Sequence, residues 1–401
     1  MLKAKFITGL DIGSENIKIL VVEERKGDSE PEVLKYFRFP SEGIRKGTII
    51  NVEQASNSLR SALEEFQNSF EQKINSAIVN ISGSHIFSTP SRGVIAVSRA
   101  DQKISPEDID RVLQAAQTFS LPSNKEVLDT IVKEFIIDGE KGIKEPLGMK
   151  GIRLEAEILA LCGFSPYIKN LTDTVLNAGL QIQDIFVSPL ASSRAVLTPR
   201  QKELGVVLLD IGAGTTSLAV FEEGDLIQAS IFPIGSGHIT NDIAIGLRCD
   251  IDTAERIKLE YGSCFLHSGK KKEKIKNIHK EEPLVFSLKM LGKIIEARIS
   301  EIFDLTNKEL KKIARQGKLP AGVVLTGGGA KLPKIGEMAK KELKLSCKIG
   351  YPKGIAGLEQ DPSFALVAGL VLSGLDSEQE QPVFGEKFTT KIKKIFKIFI
   401  P

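Results

Sequence analysis

The feature that most constrains this chain is a short motif that occurs twice. In the second copy, an apolar run over 207–209 reaches Asp210, turns over small residues and resumes as a second apolar run from Leu218 to Phe221. This pattern predicts two strands joined by a tight glycine turn, with the aspartate ending the first strand. The first copy has the same order, with Asp11 in the equivalent place. Two ordinary hairpins of similar composition are the alternative, but two copies with both aspartates in phase favour two similar domains that face one cleft.

The turn in each copy suits close contact with an anion. The second turn contains Gly212, Ala213 and Gly214, and its lack of bulk lets backbone N–H groups approach a phosphate. A carboxylate beside a phosphate repels it, unless the carboxylate holds a divalent cation through water. Asp11 and Asp210 therefore predict a magnesium–nucleotide site.

Charge and composition argue against several classes of function. The net charge is +3, but residues 387–401 hold five lysines and no acid, so removing them leaves −2 for the rest. This balance disfavours a general nucleic-acid surface. No apolar run is long enough to cross a bilayer, and residues 1–5 lead into a strand-like segment without the hydrophobic region of a signal peptide. Dispersed cysteines, and histidines without metal-ligand spacing, favour reduced thiols in a cytoplasmic protein over a zinc enzyme.

Between the two copies the chain changes character. Residues 85–163 predict strands near 131–137 and 152–162, together with a helix that Ser105 and Pro106 begin. This stretch shows no phosphate loop and no catalytic cluster. We therefore expect an inserted subdomain that serves interactions.

Three further patterns follow the second copy. Glu255 and Lys258 lie one turn apart on a predicted helix, which by itself indicates no more than a surface ion pair. Residues 284–316 have the periodicity of one long amphipathic helix. A strand then runs into the triple glycine 327–329, where bare backbone allows a flat group to approach closely.

The last segment predicts a different kind of contact. A polar linker over 377–386 precedes residues 387–401, where five apolar side chains share one face at helical spacing and lysines flank and oppose it. This pattern is typical of a helix that lies in a membrane interface. A terminal helix docked on the protein's own core is the alternative, which the lysine-only polar face disfavours. The residues that we expect at the membrane are Phe388, Lys391, Ile392, Lys394, Ile395, Phe396, Lys397 and Phe399.

Both hairpins and the late Thr-Gly-Gly-Gly-Ala, in this order, resemble the actin, sugar-kinase and heat-shock-chaperone ATPase superfamily over residues 6–375. Within it the chain resembles the bacterial FtsA cell-division family, through the segment 233–244, the insertion at 85–163 and the amphipathic tail. The resemblance implies an α/β, actin-like ATPase fold. Two lobes would surround a nucleotide cleft, and an inserted α+β subdomain would interrupt the first lobe.

The same resemblance implies how the chain is divided. The expected parts are a first core lobe (1–84 with 164–199 and 360–376), the inserted interaction subdomain (85–163), a second core lobe (200–232 with 318–359), the small subdomain of that lobe (233–317), a flexible linker (377–386) and a membrane-targeting helix (387–401).

ATP and Mg²⁺ are the ligands that the resemblance implies. Asp11 and Asp210 would hold Mg²⁺ through water. Glu255 and Lys258 match the Glu-x-x-Lys with which the superfamily contacts ribose and adenine, so a ligand role replaces the ion-pair interpretation. The residues expected to contact the nucleotide are Ser14, Glu15, Asn16, Gly212, Ala213, Gly214, Thr215, Thr216, Glu255, Lys258, Gly327, Gly328 and Gly329.

One departure from the superfamily concerns hydrolysis. The chaperones carry a glutamate just before the proline at the position of Ser188 and Pro189, and actins use a nearby glutamine for the attacking water. Serine is a poor residue for orienting a water molecule as a nucleophile. We therefore assign no catalytic residue and expect weak or negligible ATPase activity, with ATP acting as a conformational and polymerisation ligand.

The implied function is to tether and regulate the division ring. The protein would polymerise like actin at the cytoplasmic face of the cell membrane, at the division site and septum. It would bind anionic lipids through its tail, recruit the tubulin-like FtsZ near Arg298 and Glu301, and contact later division proteins through the inserted subdomain. Two alternatives stay open, namely a PilM-like protein of type IV pilus assembly and a small-molecule kinase, although no catalytic aspartate for a kinase is identified.

Overall fold

The structure is a computed structural model that describes most of the chain. The chain divides into two compact units. Unit 1 comprises residues 1–85 and 166–373, and unit 2 comprises residues 86–165 and 374–401. The membrane segment predicted from the sequence lies outside the described residues. The described ranges are 5–24, 30–265, 272–275 and 283–379.

The strands are numbered in chain order. They are β1 (Lys5–Ile12), β2 (Asn16–Glu24), β3 (Glu32–Pro40), β4 (Ile44–Arg45), β5 (Thr48–Ile49), β6 (Ser76–Ile81), β7 (Phe87–Ala96), β8 (Lys125–Ile137), β9 (Glu140–Ile143), β10 (Arg153–Phe164), β11 (Gln181–Val187), β12 (Val206–Ile211), β13 (Thr216–Glu222), β14 (Asp225–Phe232), β15 (Lys272–Ile275), β16 (Leu284–Ser287), β17 (Val323–Thr326) and β18 (Cys347–Ile349).

The α-helices are numbered in the same way. They are α1 (Val52–Asn68), α2 (Pro106–Gln117), α3 (Ser165–Asn177), α4 (Ser188–Val196), α5 (Pro199–Leu204), α6 (Ser236–Leu247), α7 (Ile251–Tyr261), α8 (Leu288–Lys312), α9 (Ile335–Leu343) and α10 (Ala365–Gln379). None of those in the described residues combines the length and the apolar content that a membrane crossing requires.

Unit 1 contains the same five-stranded arrangement twice. One sheet has the order β3-β2-β1-β6-β11, and the other has the order β14-β13-β12-β17-β18. In each, the first three strands are antiparallel neighbours, and the last two join in parallel. The central strands are apolar almost throughout, as in Leu20, Val21 and Val22, because both faces of the sheet are covered. The repeated motif is therefore the first hairpin of a repeated layer, which confirms the two-lobe α/β fold.

The long helix α8 begins later than its sequence pattern indicates. The predicted helix is present over most of 284–316 but is shorter at both ends, because residues 284–287 form β16, which pairs with β15, and the helix ends at Lys312. The Ser287 side chain accepts a hydrogen bond from the N–H of Met290 and caps the helix. The buried face of α8 joins the core beneath the second sheet through Leu291, Ile295, Ile299, Ile302 and Phe303.

Helices α4 and α10 pack backbone against backbone at one point, where no side chain lies between them. A Cβ atom on Gly369 of α10 would overlap the carbonyl group of Ala191 in α4. Small residues on α4, including Ser192 and Ser193, are buried, in agreement with a helix that packs through small side chains. This contact brings α4 alongside the second hairpin, where its Ser192 meets Asp210.

Unit 2 is an α+β subdomain that interrupts the chain of unit 1. Its sheet has the order β7-β10-β8-β9, and α2 packs on β7 and β10 around buried Val112, Leu113 and Ala116. The predicted start of α2 is confirmed. Ser105 is its N-cap in a capping box with Asp108, and Pro106 is in the first turn.

Candidate functional site

A cavity of about 440 Å³ in unit 1 brings both copies of the motif together. Its size is that of an ordinary small-molecule site. The predicted site residues that line it are Asp11, Ser14, Glu15, Asn16, Asp210, Gly212, Ala213, Gly214, Thr215, Glu255, Lys258, Gly327, Gly328 and Gly329.

Thr216 differs from the other predicted contact residues because it does not line the cavity. Its side chain is fully buried, and its hydroxyl donates to the carbonyl oxygen of Ile234 at 2.9 Å. Its backbone already belongs to β13, opposite Ile211. The structure therefore gives Thr216 a supporting place behind the second turn.

The two turns are closed by the same hydrogen bond. The N–H of Gly13 donates to the carbonyl of Asn16 at 3.1 Å, and the N–H of Gly212 donates to that of Thr215 at 2.9 Å. The turns also meet each other, since a Cβ atom on Gly214 would overlap the Ser14 side chain. Glycine at 214 is thus required by the opposing turn as well as by any ligand.

Helix α6 braces the second turn. The N–H groups of Ser236 and Gly237 donate to the carbonyls of Gly212 and Ala213 at 2.8 and 2.9 Å. Side-chain bulk at Gly235 would collide with the same two carbonyls. The positive end of the α6 dipole therefore lies behind this turn, where it favours an anion in the cavity.

The two aspartates have different surroundings. Asp11 forms an ion pair with Lys18, with 2.8 Å between Oδ2 and Nζ. Asp210 accepts a hydrogen bond from the Ser192 hydroxyl at 2.5 Å. Burial raises the pKa of Asp210, and the charge of Asp11 adds to this rise, while Ser192 and Lys18 oppose it. The ionised Asp210 carboxylate is therefore costly without a further cation.

This pair of carboxylates fits Mg²⁺ in one particular way. In the described ranges there is no group of three or more histidine, cysteine or acidic side chains that could hold a metal on their own. Mg²⁺ commonly keeps several waters and binds through one or two carboxylates plus phosphates of a ligand. Asp11 and Asp210 suit such a site, in which phosphate oxygens of a bound ligand and waters would complete the coordination.

Sequence reasoning missed several polar residues that line the cavity. Lys18 lies directly opposite Asp11 in the β1–β2 register. Pairing the residues of the predicted hairpin outward from its turn would therefore have identified Lys18. Asn80 accepts the N–H of Ile12 at 2.8 Å, and Arg38 donates to Ser363 at 2.9 Å. No local sequence signal marks Asn80 or Arg38, because tertiary packing brings them to the site.

Ser188 lines the cavity but its hydroxyl is turned into the protein. It donates to the carbonyl of Ile81 at 3.0 Å and lies 3.3 Å from the side-chain nitrogen of Asn80. Only 1% of the residue is exposed. The Ser188 hydroxyl is thus already committed to the backbone carbonyl of Ile81.

Glu255 and Lys258 form an ion pair and line the cavity at the same time. Lys258 Nζ lies 2.7 Å from Glu255 Oε2 and 2.9 Å from Thr240 Oγ1. The Thr240 hydroxyl donates to the same carboxylate oxygen at 2.5 Å. This network fixes two long side chains in place before any ligand arrives.

The three glycines after β17 have separate roles. Gly327 has a φ of +82°, and a Cβ atom there would overlap a carboxylate oxygen of Asp210. A Cβ atom on Gly329 would overlap the Ile211 side chain, whereas none on Gly328 would meet any atom within 4 Å. Of the three, Gly328 is therefore the one with open space beside its backbone.

Arg298 and Glu301, the predicted FtsZ contacts, do not line the cavity. Arg298 of α8 makes two bonds to Asp242 of α6, at 2.7 and 2.9 Å, and a third to Glu301 at 2.6 Å. The hydrogen bonds to Asp242 are the main reason that the pKa of Arg298 is raised. Arg298 therefore clamps two helices together, and Glu301 is the more exposed of the predicted pair.

The fold and the paired hairpins define a class, the actin-like ATPase fold with an inserted subdomain. A family model described as "Cell division protein FtsA" matches residues 207–369, and one described as "SHS2 domain inserted in FTSA" matches residues 83–162. The cell division protein FtsA of Pseudomonas aeruginosa is 36% identical over 381 residues, which are 94% of this chain and 91% of that protein. That of Bacillus subtilis is 35% identical over 364 residues, 90% of this chain and 82% of that protein. The chain belongs to the FtsA cell division protein family.

Solved structures agree on the fold. The PilM-PilN type IV pilus biogenesis complex matches with a TM-score of 0.66 at 17% identity, covering 92% of this chain and 98% of that one. MreB5 of Spiroplasma citri bound to AMPPNP matches with a TM-score of 0.53 at 16% identity, covering 94% and 99%. At this identity the likeness shows the fold alone, and the family comparison selects FtsA over the PilM alternative.

Proposed function

We propose that this protein is an ATP-binding, actin-like division protein that polymerises on the cytoplasmic face of the membrane. It tethers FtsZ filaments there and recruits later division proteins through the inserted subdomain. The observation that carries the nucleotide part is the single cavity that collects both turns, both aspartates and Lys18. Membership of the FtsA family supports the role in division.

In this proposal the phosphates of ATP lie between the two turns, with Mg²⁺ near Asp11 and Asp210. The adenosine lies toward Gly328 and the Glu255–Lys258 network. The open space beside Gly328 and the anchoring of Lys258 by Thr240 support this direction. Isothermal titration of the purified chain with ATP tests it directly, and tight binding that is indifferent to Mg²⁺ would contradict the role of the aspartates.

The same site supports slow turnover. With the Ser188 hydroxyl committed to Ile81 and no glutamate or glutamine in its place, nothing at this position orients a water for attack. ATP then acts by favouring one conformation and the polymer that this conformation forms. Steady-state phosphate release at rates typical of metabolic kinases would refute this part.

Membrane attachment is proposed for residues 387–401, which lie outside the described ranges. The support is the sequence pattern of an apolar face flanked by lysines. Co-sedimentation with vesicles that contain anionic lipid, for the full chain and for a chain ending at residue 386, is the decisive experiment. Equal binding by both chains would exclude the tail as the tether.

FtsZ recruitment is proposed for the surface around α6 and α8 where Glu301 is exposed. Because Arg298 also clamps the two helices, its removal would confuse loss of contact with loss of structure. Glu301→Lys is the cleaner variant, since its side chain is about half exposed. We expect it to lower the amount of FtsZ that sediments with vesicle-bound protein, while vesicle binding itself is unchanged.

A further inference from the structure

The short hairpin formed by β4 and β5 touches both phosphate turns. The N–H of Gly47 at its tip donates to the Ser14 hydroxyl oxygen at 2.8 Å. A Cβ atom on Gly47 would lie 3.0 Å from the Thr215 side chain, and one on Gly214 would lie 3.4 Å from the Cα of Lys46. The tip, Lys46 and Gly47, therefore stands where the two turns meet.

We propose that this tip recognises the terminal phosphate of a nucleoside triphosphate and that Lys46 is the residue that distinguishes a triphosphate from a diphosphate. The inference rests on the proposed nucleotide site. It adds a nucleotide-binding residue, Lys46, that belongs to neither copy of the repeated motif.

The first argument is the backbone of Lys46. Its φ is +51°, in the left-handed region that disfavours residues with a Cβ atom. Gly47 beside it also has a positive φ, of +75°. The left-handed backbone at both positions makes the tight turn that holds the tip against Ser14 and Thr215.

The second argument is charge. Across the described part of the chain, Lys46 has no carboxylate within ion-pair distance, and its side chain is exposed. Its positive charge nonetheless affects His238 at the start of α6. The pKa of His238 is lowered, mainly by burial and in smaller part by the nearby cations Arg298 and Lys46. Lys46 does not itself line the cavity, but Gly47 beside it does. An uncompensated ammonium group next to this lining suits a phosphate, which lysine binds as a point charge.

The third argument is the Ser14 hydroxyl. Its oxygen accepts the N–H of Gly47, and no acceptor for its own proton is present within the described ranges. That proton is therefore available to an oxygen of a ligand in the cavity, which Ser14 lines. In this proposal Ser14 would donate to the terminal phosphate and Lys46 would face it, so that a diphosphate would lack both contacts.

The experiment compares AMPPNP with ADP, each with Mg²⁺, by isothermal titration of the full chain. Lys46→Met is expected to weaken AMPPNP binding about tenfold and to leave ADP binding within about twofold. Lys46→Gly, which removes the charge and relieves the backbone, is expected to do the same and guards against a folding defect. Arg45→Met is the matched control, because Arg45 is an exposed cation one residue away on β4, and it is expected to change neither affinity.

The outcomes separate the two proposals. If the unmodified chain binds neither nucleotide, the proposed function fails and this inference fails with it. If it binds both, but the Lys46 variants weaken both equally or weaken neither, the inference alone is overturned. A loss with Arg45→Met as large as with Lys46→Met would also overturn it, since a general effect of basic charge would then suffice.

Discussion

Asp11 and Asp210 occupy the same place in the repeat, but they are not equivalent residues. The hairpin register places Lys18 opposite Asp11 and Ser217 opposite Asp210. The Asp11 carboxylate therefore pairs with a cation of its own hairpin, Lys18, whereas the Asp210 carboxylate accepts from the Ser192 hydroxyl of α4. The charge that the site leaves uncompensated is that of Asp210.

This difference predicts an effect of pH on the protein without ligand. Because the pKa of Asp210 is raised in the folded state, its carboxylate adds no penalty below about pH 3.9, the ordinary pKa of aspartate. This loss of folding free energy grows as the pH rises from that value to the raised folded pKa, and it is complete above the folded pKa. Asp210→Asn should therefore raise the melting temperature at neutral pH, with a gain that shrinks on acidification, while Mg²⁺-dependent nucleotide binding weakens. A gain that grows toward acid pH would contradict the assignment.

The glycines after β17 allow binding to be separated from folding. Gly328→Ala adds a methyl group where there is open space, so we expect normal urea unfolding and nucleotide affinity weaker by about three- to tenfold. Gly329→Ala is the matched variant, because its methyl group collides with Ile211, and it should cost about 1–3 kcal/mol of unfolding free energy. A Gly328→Ala variant with unchanged nucleotide affinity would mean that Gly328 faces away from the ligand.

Sequence reasoning recovers the site where local chemistry is distinctive. Aspartates at strand ends and glycines in turns are visible in the sequence, and they led to nine of the thirteen cavity-lining residues in the two hairpins. Asn80 and Ser192 were missed because a lone polar residue in an apolar segment becomes a partner of Ile12 or Asp210 only after sheets and helices pack. Thr216 was included because proximity in sequence to a phosphate turn does not reveal which way a β-strand side chain points.

At the scale of elements, the contact between α4 and α10 is the most sensitive to added volume. Gly369→Ala would drive a methyl group into the Ala191 carbonyl, and overpacking of this kind costs about 1–3 kcal/mol. We expect a lower urea midpoint. Gly336→Ala in α9 is the control, since its methyl group would lie 3.7 Å from Cys347 Sγ and should leave stability unchanged or raise it by up to about 1 kcal/mol. Equal effects would argue against the close packing of α4 and α10.

Element boundaries show where periodicity stops being informative. The interior of α8 was predicted because its apolar residues recur at helical spacing over many turns. Its first residues were not, since Leu284, Val285 and Phe286 satisfy a helical or an extended pattern equally well. Pairing with β15, a contact between segments, decides for the strand.

For the whole molecule, the duplicated sheet could be predicted because its two copies share a visible motif. The inserted subdomain could be recognised as a change in character but not as a fold, since its strands pair across long stretches of sequence, such as β7 with β10. The membrane tail remains a prediction.

That tail predicts a salt-dependent and cooperative attachment. A single basic helix of this length binds weakly, with about 1 kcal/mol from each lysine near an anionic leaflet, and a polymer multiplies such contacts. Vesicle binding should therefore rise steeply with protein concentration and fall when salt is raised from about 0.1 M to about 1 M. Binding that is linear in concentration and insensitive to salt would exclude this mode, and vesicles without anionic lipid serve as the control.

The contact of Ser14 with Gly214 has a bearing on exchange kinetics. At the end of the cavity where we propose the phosphates, the two turns touch and the β4–β5 tip lies beside them. The opposite side carries exposed side chains, with Leu259 72% and Lys331 55% exposed. In the proposed orientation a nucleotide would therefore enter with its phosphates leading and leave base first. The lifetime of the bound state would then be set at the adenosine end, whereas the phosphates would determine the conformation and not its duration.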